Sequence, residues 1–495
     1  MEGEADREAS SFGGGCQTSA QGRPKRSPPP LAGEADREAS SFGGHGRPIV
    51  VIGGGWAGCA AAVELARLGH RVELHEASAT LGGRARTVPR DGLPLDNGEH
   101  LLLGAHTQTI ALAEALGAPG DAPPWQRRPL AIAPFAASPV DALSLAIPRL
   151  PGALGLIAGL ASARGLSVGE RGATLRWLAG LHWRGYACDD ADSVADVLRP
   201  LPSRVREALW EPLCVAALNT PPDRASGQAF LHVLRQTFAT GARATDIVMP
   251  REGLGEAIPS RAARWLAARG HAVHAATRTR VVASDDAGVT LEASGVAHRA
   301  DAVLVAVGPH QLAATLAPNA DARERKIAQA LADVAGFTYE PIVTAYLGYD
   351  APVPMKRGLL RLDDGPGQWV FDRADILRRA SPSAARPALA ALVSVVISAS
   401  GPHAALDHPA LVTALDAQLR RLAPRLPALR WSQVIEEKRA TYACVPRLAR
   451  PVFGRLASRV YLAGDYTHPT LPATLEAAVQ SGQGAARALA RDLPP

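Results

Sequence analysis

"RPIVVIGGGWAGCAAAVELARLGHRVELHEA", residues Arg47–Ala77, is the stretch on which the reading of the fold turns. Ile49–Ile52 is a short continuous apolar run, as a strand buried on both faces requires, and the glycines behind it make a turn. From Ala57 to Leu68 the apolar residues recur at helical spacing, Gly69 stops the helix, and Arg71–His75 reads as a second strand. This is a βαβ unit. Its turn holds Gly53, Gly55 and Gly58 in G-x-G-x-x-G spacing. The first glycine allows the tight turn, the second lets a pyrophosphate approach bare backbone, and the third lets helix pack on strand. A chain with 47 glycines produces such a spacing by chance, so the strand before it and the helix after it carry the weight. Ala57, at the helix start, joins the expected cofactor contacts. Glu76 ends the second strand about 20 residues downstream, where an acid accepts hydrogen bonds from ribose hydroxyls. An acid there disfavours a 2′-phosphate, which leaves FAD or NAD.

Working outward, 495 residues with 47% hydrophobic content suit two or three globular domains. The net charge of +6 is almost wholly arginine, with lysine only at Lys25, Lys326, Lys356 and Lys438. The arginines are scattered and aromatic residues make up 5%, so there is neither a basic stripe nor a stacking platform for nucleic acid. The five cysteines are far apart and form no CxxC pair, so neither a metal site nor a disulfide framework is expected and a reducing compartment is. The longest apolar run in the middle of the chain, Ala153–Ala163, falls short of the roughly 20 residues a spanning helix needs. No charged-then-apolar leader precedes residue 48, so a cytoplasmic location is expected, with a peripheral seat on the inner face of a membrane as the variant to test. "GEADREASSFGG" occurs twice, at Gly3–Gly14 and Gly33–Gly44, around a Pro-rich linker, and residues 1–47 read as a disordered tail.

The rest of the chain alternates between two layers of organisation. Residues 48–125 form the first segment of a dinucleotide-binding domain. Residues 126–245 are mainly helical in pattern. Residues 246–310 return to alternating strands ("RVVASDDAGVTLEASG", "DAVLVAVGP"), 311–450 form a second substrate segment, and 451–495 read as strand, loop and long helix. The expected fold is α/β, a Rossmann-type FAD-binding domain with an interleaved α+β substrate domain.

The choice of FAD over NAD rests on "EASATLGGRART", Glu76–Thr87. A bare backbone at Gly82 and Gly83 and the Arg84 guanidinium suit the extended diphosphate and ribityl chain of a flavin. With the βαβ unit, this segment resembles the flavin amine oxidase and phytoene desaturase superfamily, flavoproteins of the GR2-like kind. The resemblance implies further contacts. "VYLAGDYT" is similar to the superfamily's second flavin element, in which Asp465 would bind ribityl or diphosphate and Gly464 would allow close approach. "ATLEAAVQSG" is similar to the segment whose helix N-terminus points at the flavin pyrimidine ring, bringing Leu475 and Val479 into the set. Here Glu476-Ala477-Ala478 stands for the usual Glu-Gly-Ala. Gly98 falls in the Asp-x-Gly segment that runs past the isoalloxazine, and Val273 matches the residue whose backbone holds adenine.

Amine oxidases place a lysine near flavin N5 in the strand after the "VAVGP" element, whereas the comparable strand here, "YEPIVTAYLGY", offers Glu340 and no lysine. Two longer stretches, "LWEPLCVAALNTPPDRASGQAFLHVLR" (Leu209–Arg235) and "EEKRATYACVPRLARP" (Glu436–Pro451), together with "LPLDNGEH" and "ATDIVMPREGL", resemble the squalene-associated branch, the hydroxysqualene dehydroxylases of hopanoid biosynthesis. The likeness runs over nearly all of 48–490. Glu99 departs from that branch, whose usual form is "DNGQH".

The resemblance implies an FAD enzyme that removes the hydroxyl of hydroxysqualene and delivers a hydride, giving squalene. Protonating the alcohol oxygen makes it a leaving group, and the cation must be trapped before water reaches it. His100, Glu99 and Asp96 are the candidate proton donors. A C30 isoprenoid needs a long apolar channel, for which Ala142–Leu181 is the expected lining, and Arg149, Arg164 and Arg176 are placed to meet lipid headgroups. A carotenoid-type desaturase or a flavin amine oxidase is the alternative, and a non-catalytic isoprenoid escort protein is a second. No further G-x-G-x-x-G in a strand–helix setting serves NAD(P)H, so the electron donor stays open.

Overall fold

The computed structural model describes residues 46–118, 120–135, 143–316, 325–355, 359–383 and 385–495. The duplicated N-terminal segment lies outside them.

The opening βαβ unit seeds a six-stranded sheet. Its first strand, Ile49–Ile52, is buried at every position and pairs in parallel on both sides, with Val72–His75 and with Ala302–Val305. A strand covered on both faces must be apolar throughout, which is why this one shows no alternation. The sheet runs 272–274, 72–75, 49–52, 302–305, 460–462, 454–457, so it draws strands from three separate parts of the chain. A three-stranded antiparallel sheet, 279–285, 288–293 and 296–300, sits at the crossover between the outer strand and the one at Ala302.

Helix Trp56–Arg67 and the final helix, Leu475–Asp492, cover one side and cross at close range. A Cβ on Gly482 would stand 2.2 Å from the Ala57 carbonyl oxygen, and one on Gly58 would stand 1.8 Å from that of Gly53. Only glycine lets these backbones meet. The crossing therefore fixes the first and last thirds of the chain to one another.

A second sheet of seven strands runs 429–442, 339–349, 391–398, 369–372, 359–361, 131–134, 145–146. It is antiparallel except for the pairing of 359–361 with 131–134. Helices from Leu154 to Phe238 stack against it, and one continuous apolar cluster joins them to Trp369, Phe371 and Val396 on the sheet. Burying a side chain of that size contributes about 1.5–3 kcal/mol.

Candidate functional site

One cavity of about 870 Å³ passes from the glycine turn to the seven-stranded sheet. At one end its walls are backbone and charge. Gly53 is held at φ +108°, and a Cβ on Gly55 would meet nothing within 4 Å, so the turn presents bare backbone to open space. Glu76 is buried at the rim. Its two carboxylate oxygens accept from Gly54 N and Ser78 N, each at 2.7 Å, which orients the acid across the turn. Gly83 lies against Gly55, with an added Cβ 3.3 Å from the Gly55 Cα.

Arg84 joins this end to the C-terminal segment. Its guanidinium donates to Asp465 Oδ1 at 2.7 Å and to the Ala440 carbonyl at 2.8 Å. Burial alone would lower the Arg84 pKa, but the Asp465 charge and hydrogen bond outweigh it and hold the cation above its ordinary value. The final helix begins beside them. Thr474 caps it by accepting from Ala477 N at 3.1 Å, and Thr474, Leu475 and Ala478 line the cavity. Glu476 turns away. It is buried and accepts from Gln108 N and Thr109 N at 3.1 and 2.9 Å, which ties the last helix to the start of helix Thr107–Ala115.

The other end is apolar. Leu213, Ala216 and Ala217 of helix Glu211–Leu218 and Phe230, Val233, Leu234 and Phe238 of helix Gly227–Phe238 face Leu359, Trp369, Phe371 and Val396 of the sheet. Among the described residues of 142–181 none lines the cavity, so the expected channel lining lies elsewhere in the chain. That stretch packs its inner side, including Leu156, Leu160, Trp177 and Leu181, into the core.

Glu99 and His100 belong to the cavity wall. Glu99 Oε2 accepts from Arg373 and, at 3.0 Å, from Ser394 Oγ. Arg373 is buried and also contacts Asp375 at 3.1 Å and Asp96 at 3.3 Å, so one guanidinium serves three carboxylates. Arg379 reaches only Asp375 among them, at 3.2 Å. Burial raises the Glu99 pKa, and the neighbouring Asp96 and Asp375 charges add to that against the pull of Arg373. Burial lowers the pKa of His100, whose Nδ1 stands 3.2 Å from the Gly98 carbonyl.

The remaining expected site residues fall differently. Gly53, Gly55, Ala57, Glu76, Gly83, Arg84, Gly464, Asp465 and Leu475 line the cavity with Glu99 and His100. Asp96 does not. Its Oδ1 accepts from Thr87 Oγ1 at 2.7 Å and Leu254 N at 3.0 Å, and its Oδ2 faces Arg373, so it is a buried structural acceptor. Gly58 serves the helix–strand contact. Gly98 borders a small adjoining pocket with His100 and Glu437. Val479 is fully buried in the core beside helix Trp56–Arg67. Val273 pairs with Leu74 and its side chain packs into the same core, whereas the expected adenine contact is one of its backbone. Thr277, Arg278, Thr279 and Arg280 wall that end of the cavity instead.

Glu340 is buried, accepts from Ser400 N at 2.9 Å and pairs with Arg224 at 3.0 Å. Ile342 is the residue of that strand on the cavity wall, and no lysine lies among the described lining residues. Asn219 is also on the wall and was not singled out from sequence. It ends helix Glu211–Leu218 at φ 47°, donates to Thr441 Oγ1 at 3.0 Å and accepts from Ala399 N at 2.7 Å. Its signal was local: an Asn before Thr-Pro-Pro is a left-handed helix stop. Glu437 on the wall, accepting from Asn97 at 3.3 Å, gave no such signal.

The arrangement fits a flavin dinucleotide. The open backbone at Gly55, the Glu76 carboxylate and the Arg84–Asp465 pair would hold its adenosine, diphosphate and ribityl parts, and the final helix presents its N-terminus to the same space.

Comparison with known proteins agrees. Residues 56–490 match the family model described as flavin containing amine oxidoreductase. The hydroxysqualene dehydroxylase of Rhodopseudomonas palustris is 30% identical over 446 residues, covering 88% of this chain and 96% of the relative. That of Zymomonas mobilis is 24% identical, covering 88% and 97%. An oxidoreductase structure from Methanosarcina mazei superposes with a TM-score of 0.68 at 17% identity, covering 88% of this chain and 99% of its own.

Proposed function

The chain belongs to the flavin-containing amine oxidoreductases and, within them, to the hydroxysqualene dehydroxylase family; it is an FAD-dependent oxidoreductase, and from this premise we propose that it converts hydroxysqualene to squalene for hopanoid synthesis. The observation that carries the reading is the apolar end of the cavity. Two helices and three strands give it aromatic and aliphatic walls, and such a surface favours a long hydrocarbon over a charged amine.

The net change is loss of a hydroxyl as water and gain of a hydrogen. Bound FAD in its reduced form supplies the hydride. The protein's own residues do the rest. Glu99 donates the proton to the leaving oxygen. Its Oε2 is held by Arg373 and Ser394, and three carboxylates around one fully buried cation favour keeping a proton on one of them. His100, with its pKa lowered by burial, is neutral near pH 7 and so carries no imidazolium proton to give. Phe230, Phe238, Trp369 and Phe371 keep water from the cation formed when the oxygen leaves. The reductant that recharges the flavin is a separate partner.

The test is anaerobic. Protein reduced with dithionite and given hydroxysqualene should form squalene. Absence of squalene, with desaturation of phytoene by the oxidised protein, would assign the chain to carotenoid-type chemistry.

A further inference from the structure

Helix Leu154–Ser162 has no polar residue before Ser162, and between Asp141 and Glu170 the sequence has no acid at all. A surface helix of a soluble protein normally turns a polar face outward. This one does not. Its outer side, Leu154 and Ile157, continues into Leu150 of the chain before it, and the three are exposed at 57%, 43% and 41%. Its inner stripe is clamped: Cβ atoms on Gly155 and Gly159 would stand 2.6 and 2.9 Å from the carbonyl oxygens of Pro148 and Ala146, so the helix lies tightly on the edge of the seven-stranded sheet. Leu156 and Leu160 continue inward into the cluster that holds Trp369 and Phe371 of the cavity wall.

Charge marks one end of the stripe. Arg171 donates to the carbonyls of Ala161 and Ala163 at 2.8 and 2.7 Å, which places a cation at the helix C-terminus, and Arg164 beside it is exposed. Arg149, at the other end, is neutralised by two hydrogen bonds to Asp246 at 2.8 and 3.1 Å. No described helix is long and apolar enough to cross a membrane.

We propose that this helix lies flat in the surface of an anionic lipid bilayer, with Leu150, Leu154 and Ile157 among the acyl chains and Arg164 at the headgroups. An apolar stripe with a free cation at one end and no acid between Asp141 and Glu170 matches that surface. The helix's inner residues share one apolar cluster with Trp369 and Phe371 of the cavity wall, so the docked enzyme sets that end against the phase in which an isoprenoid dissolves. That last link rests on the proposed function; the docking does not.

The test therefore contains no substrate. Full-length flavin-loaded protein is sedimented with vesicles of phosphatidylcholine, with and without phosphatidylglycerol, at ~0.1 M salt. Wild type should co-sediment with the anionic vesicles, and the Leu154→Ser/Ile157→Ser double variant should partition about tenfold less or weaker still. Arg164→Glu should weaken binding to the anionic vesicles more than to the neutral ones. Both residues of the double variant point outward, so its flavin spectrum and Tm should match wild type and confirm a folded protein. Wild type left in the supernatant would overturn the proposal. So would a wild-type dimer without lipid that the double variant dissociates, since a second copy would then cover the stripe.

Discussion

The two ends of the cavity are built in opposite ways. The dinucleotide end is made of backbone and short contiguous motifs: Gly53–Gly58, Glu76, Gly82–Arg84 and Gly464–Asp465. The apolar end is made of side chains that come from helices near residue 220 and strands near residue 370, brought together only by tertiary packing. Backbone geometry tolerates few residue types at each position, whereas an apolar wall tolerates any residue of about the right size. Lesions at the two ends should therefore separate cleanly.

The largest effect is expected where backbones touch. Gly58→Ala puts a methyl group 1.8 Å from a carbonyl oxygen, so the turn must open. We predict colourless protein that takes up no added FAD and is destabilised by about 1–3 kcal/mol or more, read by absorbance and denaturant melts. Wild-type flavin content would break the comparison at its firmest point.

Arg84→Met should come next. It leaves the Asp465 carboxylate, 8% exposed, without its cation. Removing one partner of such a buried pair costs about 3–5 kcal/mol at full burial and less here, because Arg84 itself is 31% exposed. The expected outcome is weakened FAD binding by titration, with product identity unchanged in the fraction that binds.

Glu99→Gln probes the wall shared by flavin and substrate. Glu99 must be protonated to act, and its pKa lies above the ordinary carboxylate value, so activity should hold at low pH and decline as pH rises through that elevated value. The glutamine variant restores the branch's usual DNGQH form, so it should lose that alkaline decline, with a rate lower by at most about 10²-fold. A variant with the wild-type rate and profile would move the proton to another donor.

Phe230→Ala should give the smallest effect and the sharpest contrast. Flavin spectrum and content stay as in wild type, while KM for the isoprenoid rises about tenfold, equivalent to about 1.4 kcal/mol of lost apolar contact. Loss of flavin here would show that the two ends are not independent.

This division also explains what the sequence disclosed. The βαβ unit, Glu76, Arg84 and Asp465 were legible because each serves a backbone or charge requirement at fixed spacing. The lining from helices Glu211–Leu218 and Gly227–Phe238 was missed in favour of 142–181, since both stretches are rich in Leu and Ala and only tertiary packing decides which one borders the cavity. Asp96 looked like an acid among catalytic neighbours. Of its neighbours in space, Thr87 faces it across a hairpin and the Leu254 amide is remote in sequence.

The crossing of Ala57 and Gly482 bears on how the enzyme is made. A ribosome delivers the glycine turn long before Asp465, Thr474 and the helix that braces the turn. Flavin loading then waits for the C-terminal segment, and a nascent chain stalled before Gly464 should carry no yellow colour however long it waits.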